Sequence, residues 1–381
     1  MHNRQSNPKY TGATARKDAG VHVSKIFAGK RILVTGHTGF KGSWLCIWLE
    51  ALGAEVSGYA LDPISERDNF VVSGVEKRVR HHVGDIRDFD RLSGLVSEIR
   101  PEVVFHLAAQ PIVLDGYHRP KETFDINVGG TVNLLECCRQ SDTLRVVVNV
   151  TSDKCYENRD RQQAYGENDR LGGYDPYSAS KSCSEMVTSA YRNAYFHPDR
   201  FETHGKSVST ARAGNVIGGG DWQNHRILPD CIRALENGET IRIRHPRAKR
   251  PWQHVLEPLS GYLCLAERML TEPGAFSGAW NFGPAAPSVV PVGEVVQRVI
   301  GCWGSGRWMV EEPQADLHEA ALLSLDISKA QSLLGWHPAW DLDKAVGHTV
   351  DWYKTYRDKA PHAICMAQIS DYENATTGLR V

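Results

Sequence analysis

The sequence predicts an α/β protein: a doubly wound parallel sheet with a smaller, mostly C-terminal lobe beside it. Three observations predict it. The segments 102–109 (EVVFHLAA) and 144–152 (LRVVVNVTS) are near-continuous apolar runs, the mark of strands buried on both faces. From Arg31 onward, short apolar runs alternate with longer amphipathic ones, which is the pattern of strand–helix units. A glycine-rich turn, GHTGFKG at 36–42, separates the first strand of that series from its first helix.

The elements follow in order. RILVT at 31–35 is a strand stopped by Gly36. In 42–52, Trp44, Leu45, Ile47, Trp48 and Leu52 fall at helical spacing. A β-rich stretch at 55–61 ends on Asp62-Pro63, and another strand ends at 83–85. A helix over 88–100 takes Asp88 as its N-cap and stops at Pro101. The strand 102–109, a helix over 124–139 and the strand 144–152 complete a series of five strands. After about Ala213 loops rich in Gly, Pro, Trp and Arg interrupt the pattern, with helices expected at 255–270, 292–302 and 328–334, the last closed by Gly335. These signals divide the chain into a polar, disordered tail at 1–28, a nucleotide-binding domain at 29–214 plus about 250–282, and a second lobe at about 215–249 plus 283–372. In such a sheet, ligands bind beyond the carboxyl ends of the strands.

Composition narrows the function. Of 381 residues, 41% are hydrophobic and 23% charged, and 44 Lys+Arg against 45 Asp+Glu leave a net charge of -1. That balance argues against a dedicated nucleic-acid binder. No apolar run approaches the roughly 18 residues of a membrane span. The first 25 residues carry five Lys/Arg, one acid and no apolar stretch of a secretory signal. The nine cysteines are odd in number and none forms CxxC, so reduced thiols and a cytoplasmic location are expected. No HExxH or paired Cys/His set occurs, and no metal site is expected.

The turn Gly36-His37-Thr38-Gly39-Phe40-Lys41-Gly42 is GxxGxxG between strand and helix. Glycines there allow a tight turn and bring backbone N–H groups to a pyrophosphate at the helix N-terminus. Asp62, 20 residues past Gly42, is placed to accept hydrogen bonds from an adenosine ribose and to repel a 2′-phosphate, which favours NAD. Asp85-Ile86 follow the third strand, at the adenine edge, and Ala108-Ala109-Gln110 follow the fourth.

Tyr177-Ser-Ala-Ser-Lys181 is YxxxK at the head of a helical stretch reaching Tyr195. Four residues apart on a helix, the two side chains share a face, and an ammonium beside a phenol favours the phenolate. The strand ending at Val150 is followed by Thr151-Ser152-Asp153-Lys154. Ser152 completes a Ser–Tyr–Lys set, and Asp153 with Lys154 adds an acid and a base that hydride transfer alone does not need.

At these residues the chain resembles the extended short-chain dehydrogenase/reductase family and, within it, the CDP-glucose 4,6-dehydratases. The matching segments run from TGHTGFKGSWL at 35–45 through TSDKCYEN at 151–158, LGGYDPYSASK at 171–181, RAGNVIGGGDW at 212–222 and RPWQHVLEPLSGYL at 250–263 to LGWHPAW at 334–340. The pair Asp153-Lys154 stands where the related dTDP-glucose dehydratases carry Asp-Glu. The resemblance implies a Rossmann-type sheet, a sugar-nucleotide-binding lobe and a regenerated NAD. It implies that Tyr177 takes the O4 proton, Lys154 the C5 proton, and that Asp153 protonates the departing C6 hydroxyl, giving a 4-keto-6-deoxy sugar nucleotide for deoxysugar biosynthesis. Lys181 would hold the nicotinamide ribose and Asn215 the nucleotide diphosphate. Arg244 and Arg250, in RIRHPRAKR at 242–250, suit bidentate phosphate pairing, and Trp252 and His254 would shape the pocket.

The chain departs from the family pattern at 159–164 and at Leu114 and Gly116, where an Arg and a Ser are usual. Other readings are another nucleotide-sugar 4,6-dehydratase, a 4-epimerase, or a catalytically silent NAD-binding scaffold. A homodimer or homotetramer is expected through the helices 124–139 and 177–195, with Leu134, Leu135, Met186 and Val187 either interface or core.

Overall fold

The computed structural model describes residues 25–311 and 322–378. The expected polar tail lies outside them as far as residue 24. The tail ends earlier than expected: Phe27, in the short turn Lys25–Phe27, is buried in the core.

Seven parallel strands form the central sheet: β1 (Arg31–Thr35), β2 (Glu55–Ala60), β3 (Arg80–Val83), β4 (Val103–His106), β5 (Val146–Val150), β6 (Ser207–Arg212) and β7 (Gly278–Asn281). Their spatial order is β7-β6-β5-β4-β1-β2-β3. The order reverses between β1 and β4, which pair Ile32 with Val103 and Thr35 with His106. A crevice opens at such a switch point, beyond the strands' carboxyl ends. β1, β2, β4 and β5 lie within the expected stretches, and β3 ends at Val83, at the edge of the ending expected at 83–85. β6 and β7 were not anticipated, because SVSTAR and GAWN carry no apolar run. The β6 polar groups are paired where they are buried: Ser209 Oγ donates to Phe276 O (2.8 Å) and Thr210 Oγ1 to Glu185.

Helix Phe40–Ala51 is apolar nearly all round, as a helix covered on two sides must be. One side faces the sheet core. The other meets the C-terminal helix Pro361–Gly378, where Trp48 Nε1 donates to Glu373 (2.9 Å) and packs edge-on against Tyr372. The last helix therefore packs onto the first helix beside the sheet, although most of it was expected in the second lobe. The helix expected at 124–139 is broken in two, Pro120–Phe124 and Gly130–Gln140, by a wide turn at Asp125–Gly129. That turn brings Asn127 against the helix Pro176–Tyr195, where its amide donates to Ser180 Oγ (2.8 Å).

The second lobe has its own core. Helices Ile227–Glu236, Val292–Trp303 and Leu342–Thr355 share it with Ile241, Ile243 and Trp252. Short strand pairs edge the lobe: Val216–Ile217 with Gln253–His254, Ile241–Ile243 with Trp308–Val310, and Lys249–Pro251 with Val289–Pro291.

Candidate active site

A cavity of about 1600 Å³ runs from the glycine turn across the carboxyl ends of the strands into the second lobe. That exceeds the roughly 300–1,000 Å³ of a pocket for one small ligand.

At one end lies the glycine turn. Gly36 has φ +73°, and a Cβ there would come within 2.7 Å of Ala108 N; one on Gly42 would stand 2.7 Å from His37 Cα. No side chain caps the helix that starts at Phe40. Its first-turn N–H groups, beside a turn too tight for side chains, form a cradle that suits a dinucleotide's diphosphate. Thr38 Oγ1 ties the turn to the end of β2 by donating to Leu61 O (2.9 Å). Asp62 follows on the rim, exposed. Asp85, Ile86, Ala108 and Ala109 line the same wall. Asp85 is ion-paired to Arg87, whose guanidinium holds the carboxyl below the usual carboxylate range.

Two residues expected at this end face elsewhere. His37 lies off the cavity wall: Nε2 hydrogen-bonds His81 Nδ1 (2.7 Å), the ring sits edge-on to Phe70, and burial pushes its pKa down to about 3. Its ring occupies the space left by Gly58. Gln110 is a buried brace, donating to Thr123 Oγ1 (2.9 Å) and accepting from Ile112 N–H.

At the centre of the cavity Ser152, Asp153, Lys154, Tyr177 and Lys181 come together on its wall. Ser152 Oγ accepts from Lys154 N–H (3.2 Å) and donates to Asp153 Oδ1 (3.0 Å), which fixes the turn after β5. Asp153 is buried, and Asn215 Nδ2 donates to its Oδ2 (3.4 Å) from the opposite lobe. Asn215 has φ +48°, an uncommon conformation for a residue with a side chain. Asp175 caps the next helix through Ser178 N–H (2.9 Å) and so sets Tyr177 in its first turn.

The electrostatics differ from the expectation that Lys181 would lower the Tyr177 pKa. Burial dominates and pushes Tyr177 up to about 12; nearby Ser152 and the charge of Arg226 work against it. Burial likewise pushes Lys181 down to about 8, opposed by Glu185. Lys41, in the glycine turn, is pushed down to about 7 by burial and by the charges of Arg226 and Lys181, opposed by Asp153 and Asp221. Lys154 is half-buried.

On the far side Asn215, Arg244, Arg250 and Trp252 line the cavity, with Arg250 buried and Arg244 exposed. His254 does not. It is buried between Trp44, Trp340 and His348, and Leu256 N–H donates to its Nδ1 (3.3 Å), so it belongs to the core. Sequence reasoning missed the Asp221–Arg226 ion pair (2.8 Å), which enters the cavity from the loop after Gly218-Gly-Gly220. It also missed Tyr117, whose ring joins the wall near Asp175. No periodicity marks the loop that carries Asp221 and Arg226, and Tyr117 sits in a helix of only six residues, Val113–His118. Of the two departures, Leu114 lines the cavity and Gly116 packs against Tyr177, where a Cβ on the glycine would stand 3.1 Å from Tyr177 N. In the other, Arg161 pairs with Asp169 and covers the Tyr165 ring. Among the described residues no cluster of three or more His, Cys, Asp or Glu could hold a metal ion, and no helix is long and apolar enough to cross a membrane.

Comparison with known proteins places this geometry. Residues 32–278 match the model of the NAD dependent epimerase/dehydratase family. The CDP-glucose 4,6-dehydratase of Salmonella typhimurium is 49% identical over 353 residues, covering 92% of this chain and 98% of that protein. A dTDP-glucose 4,6-dehydratase of Xanthomonas campestris is 26% identical over 85% of the chain and 93% of its own length. Among solved structures, the fold is shared with the dTDP-glucose 4,6-dehydratase of Bacillus anthracis in complex with NAD (TM-score 0.71, 21% identity, 86% of this chain, 97% of that chain). It is shared also with the UDP-glucose 4-epimerase of Thermotoga maritima (TM-score 0.73, 21% identity, 86% and 100%). The chain belongs to the NAD dependent epimerase/dehydratase family.

Proposed function

We propose that this chain is a CDP-glucose 4,6-dehydratase that uses NAD and regenerates it in each turnover. The observation that carries the proposal is the acid–amine couple Asp153-Lys154 at the end of β5, on the same cavity wall as Tyr177 and Lys181. An epimerase needs the second pair but not the first. The 49% identity to the Salmonella dehydratase supports the CDP-glucose assignment.

The uncapped helix at Phe40, Gly36, Gly39 and Gly42, with Asp62 and Asp85 on the rim, would hold the dinucleotide. When bound, NAD supplies the acceptor for the C4 hydride, its return to C6, and a positive ring charge. Tyr177 takes the O4 proton; Ser152 and Arg226 favour the phenolate that does so. The C4 ketone acidifies the hydrogen at C5, α to the carbonyl. Lys154 removes that proton. Asp153, held by Ser152 and Asn215, protonates the C6 hydroxyl, which leaves as water. Lys154 then returns a proton to C5 as C6 becomes a methyl group. Asn215, Arg244 and Arg250 bind the nucleotide diphosphate, with Trp252 beside them.

Incubation with CDP-, dTDP- and UDP-glucose, followed by NMR of the products, tests the reading. It expects a 4-keto-6-deoxy sugar from CDP-glucose. Product from another nucleotide alone, a 4-epimer, or a bound dinucleotide without turnover would overturn it.

We further infer a homo-oligomer in the cytoplasm. Met186 is 52% exposed and Tyr195 51% on helix Pro176–Tyr195, while Leu134 and Leu135 are fully buried and belong to the core. All nine cysteines are free and most are buried, which suits a reducing compartment. Light scattering of the protein and of Met186→Glu tests the interface.

A further inference from the structure

We propose that Glu185 is a positioning residue of this active site: its buried carboxylate, ion-paired to Arg212 and bonded to Thr151, braces the end of β5 and sets a negative charge one helical turn from Lys181. The proposal rests on the reading of Tyr177 and Lys181 given above.

Glu185 lies four residues beyond Lys181 and eight beyond Tyr177 on helix Pro176–Tyr195, so all three face the sheet. Its side chain and that of Arg212 are each 3% exposed, and Arg212 Nη2 reaches Oε2 at 2.7 Å. Thr210 Oγ1 donates to the same oxygen (2.8 Å) and Thr151 Oγ1 to Oε1 (2.5 Å). Three donors, from β6 and the end of β5, thus converge on one helix carboxylate. Thr151 directly precedes Ser152-Asp153-Lys154, so the brace fixes where that turn leaves β5.

The far end of the brace reaches the cavity roof. Arg212 Nη1 donates to Tyr156 Oη (2.7 Å) and to Glu167 O (3.1 Å). Tyr156 Oη in turn donates to Asn281 Oδ1 on β7 (2.7 Å). Such a pair is costly to bury and costly to break, since loss of one partner strands the other charge.

Lys181 needs a counterion here. Its Nζ has the Val150 carbonyl at 3.4 Å. The groups that face it are Glu185 on its own helix, Cys155 after β5, His106 on β4 and Lys41 in the glycine turn. Burial and the Lys181 charge push His106 down to about 3, so it is neutral. Lys41 repels Lys181. Glu185 is the one carboxylate among these groups, and its influence opposes the burial that lowers Lys181.

The test reads Lys181 without turnover. Competitive acetylation with trace acetic anhydride across pH 6–10, followed by peptide mass spectrometry, reports the midpoint at which each lysine becomes reactive. In Glu185→Gln the Lys181 midpoint should fall by about one pH unit, a tenfold loss of ammonium at fixed pH above it, with exposed Lys121 unmoved. The alkaline limb of dehydratase activity should move down by the same amount. Thr210→Val, which keeps the charge, should leave the midpoint in place. Because Glu185→Gln strands Arg212, Glu185→Gln/Arg212→Met provides a second version without the stranded cation, and it should show the same fall. An unmoved midpoint in folded protein overturns the proposal. A moved midpoint in a protein inactive on every nucleotide sugar would leave it standing and reject the dehydratase reading instead.

Discussion

Gly214 is packed so closely against Asp153 that a side-chain carbon at Gly214 would overlap the Asp153 carboxylate. The second lobe enters at this glycine, and Asn215 beside it donates to the same carboxylate. The acid's position is therefore set by backbone from one lobe meeting a turn from the other. Gly214→Ala should displace Asp153 and lower kcat about 10²-fold or more, with dinucleotide affinity within a few-fold of wild type. Steady-state kinetics beside calorimetric titration with NAD checks this.

Lys154 is half-buried, and among the described residues its side chain makes no hydrogen bond or ion pair whose partner its removal would strand. Lys154→Met should fold normally and lose about 10²–10⁴ in turnover. In deuterated solvent, wild-type product should carry solvent deuterium at C5. The variant should leave the C5 hydrogen of recovered substrate untouched. Undiminished C5 exchange would move the base elsewhere in the cavity.

Lys41 is the side chain that an anion-binding glycine turn does not require, and it faces Arg226, Asp221, Asp153 and Lys181. Its ammonium is held down to about 7, so the cation is present below that pH and lost as pH rises through it. A bound diphosphate would move that transition upward. Lys41→Met should weaken NAD binding about tenfold at pH 6.5, as expected for one charged hydrogen bond of about 1.5 kcal/mol. The gap between variant and wild type should close as pH rises toward 9. Fluorescence titration of NAD at several pH values reads both effects.

Glu257 is buried and accepts from Trp340 N–H (2.7 Å), Ala339 N–H (3.0 Å) and Tyr372 Oη (2.7 Å), joining the last helix to the core. Burial pushes its pKa up to about 7 from 4.5. The folded state thus binds more protons than the unfolded chain between those values. The resulting stability, about 3 kcal/mol at most, is full below pH 4.5 and lost as pH rises through 7. Any Tm advantage of wild type over Glu257→Gln should shrink from pH 5 to pH 8, as differential scanning calorimetry would show.

Much of this was legible in the residues themselves. Strands β1, β2, β4 and β5 lie inside the sheet and so read mostly as apolar runs, whereas β3, RHHV at the sheet edge, showed only where it ends; GxxGxxG and YxxxK sit where strand order and helix geometry put them. β6 was hidden because its buried Ser, Thr and Arg side chains are paired with partners distant in sequence, such as Glu185. His37 and His254 were misplaced for the related reason that a histidine can be core when its ring packs among aromatics and stays neutral. Arg226 and Asp221 come from a loop whose course depends on tertiary packing. Glu185 was within reach: its spacing of four from Lys181 is a helical register visible in the sequence.

The central claim is that a carbonyl formed at C4 loosens the hydrogen at C5 and lets the C6 hydroxyl leave. CDP-glucose deuterated at C4 tests it most directly. The account predicts a 4-keto-6-deoxy product with that deuterium in its C6 methyl group. Product with the label lost to solvent, or a C4 epimer that keeps the label at C4, would contradict it.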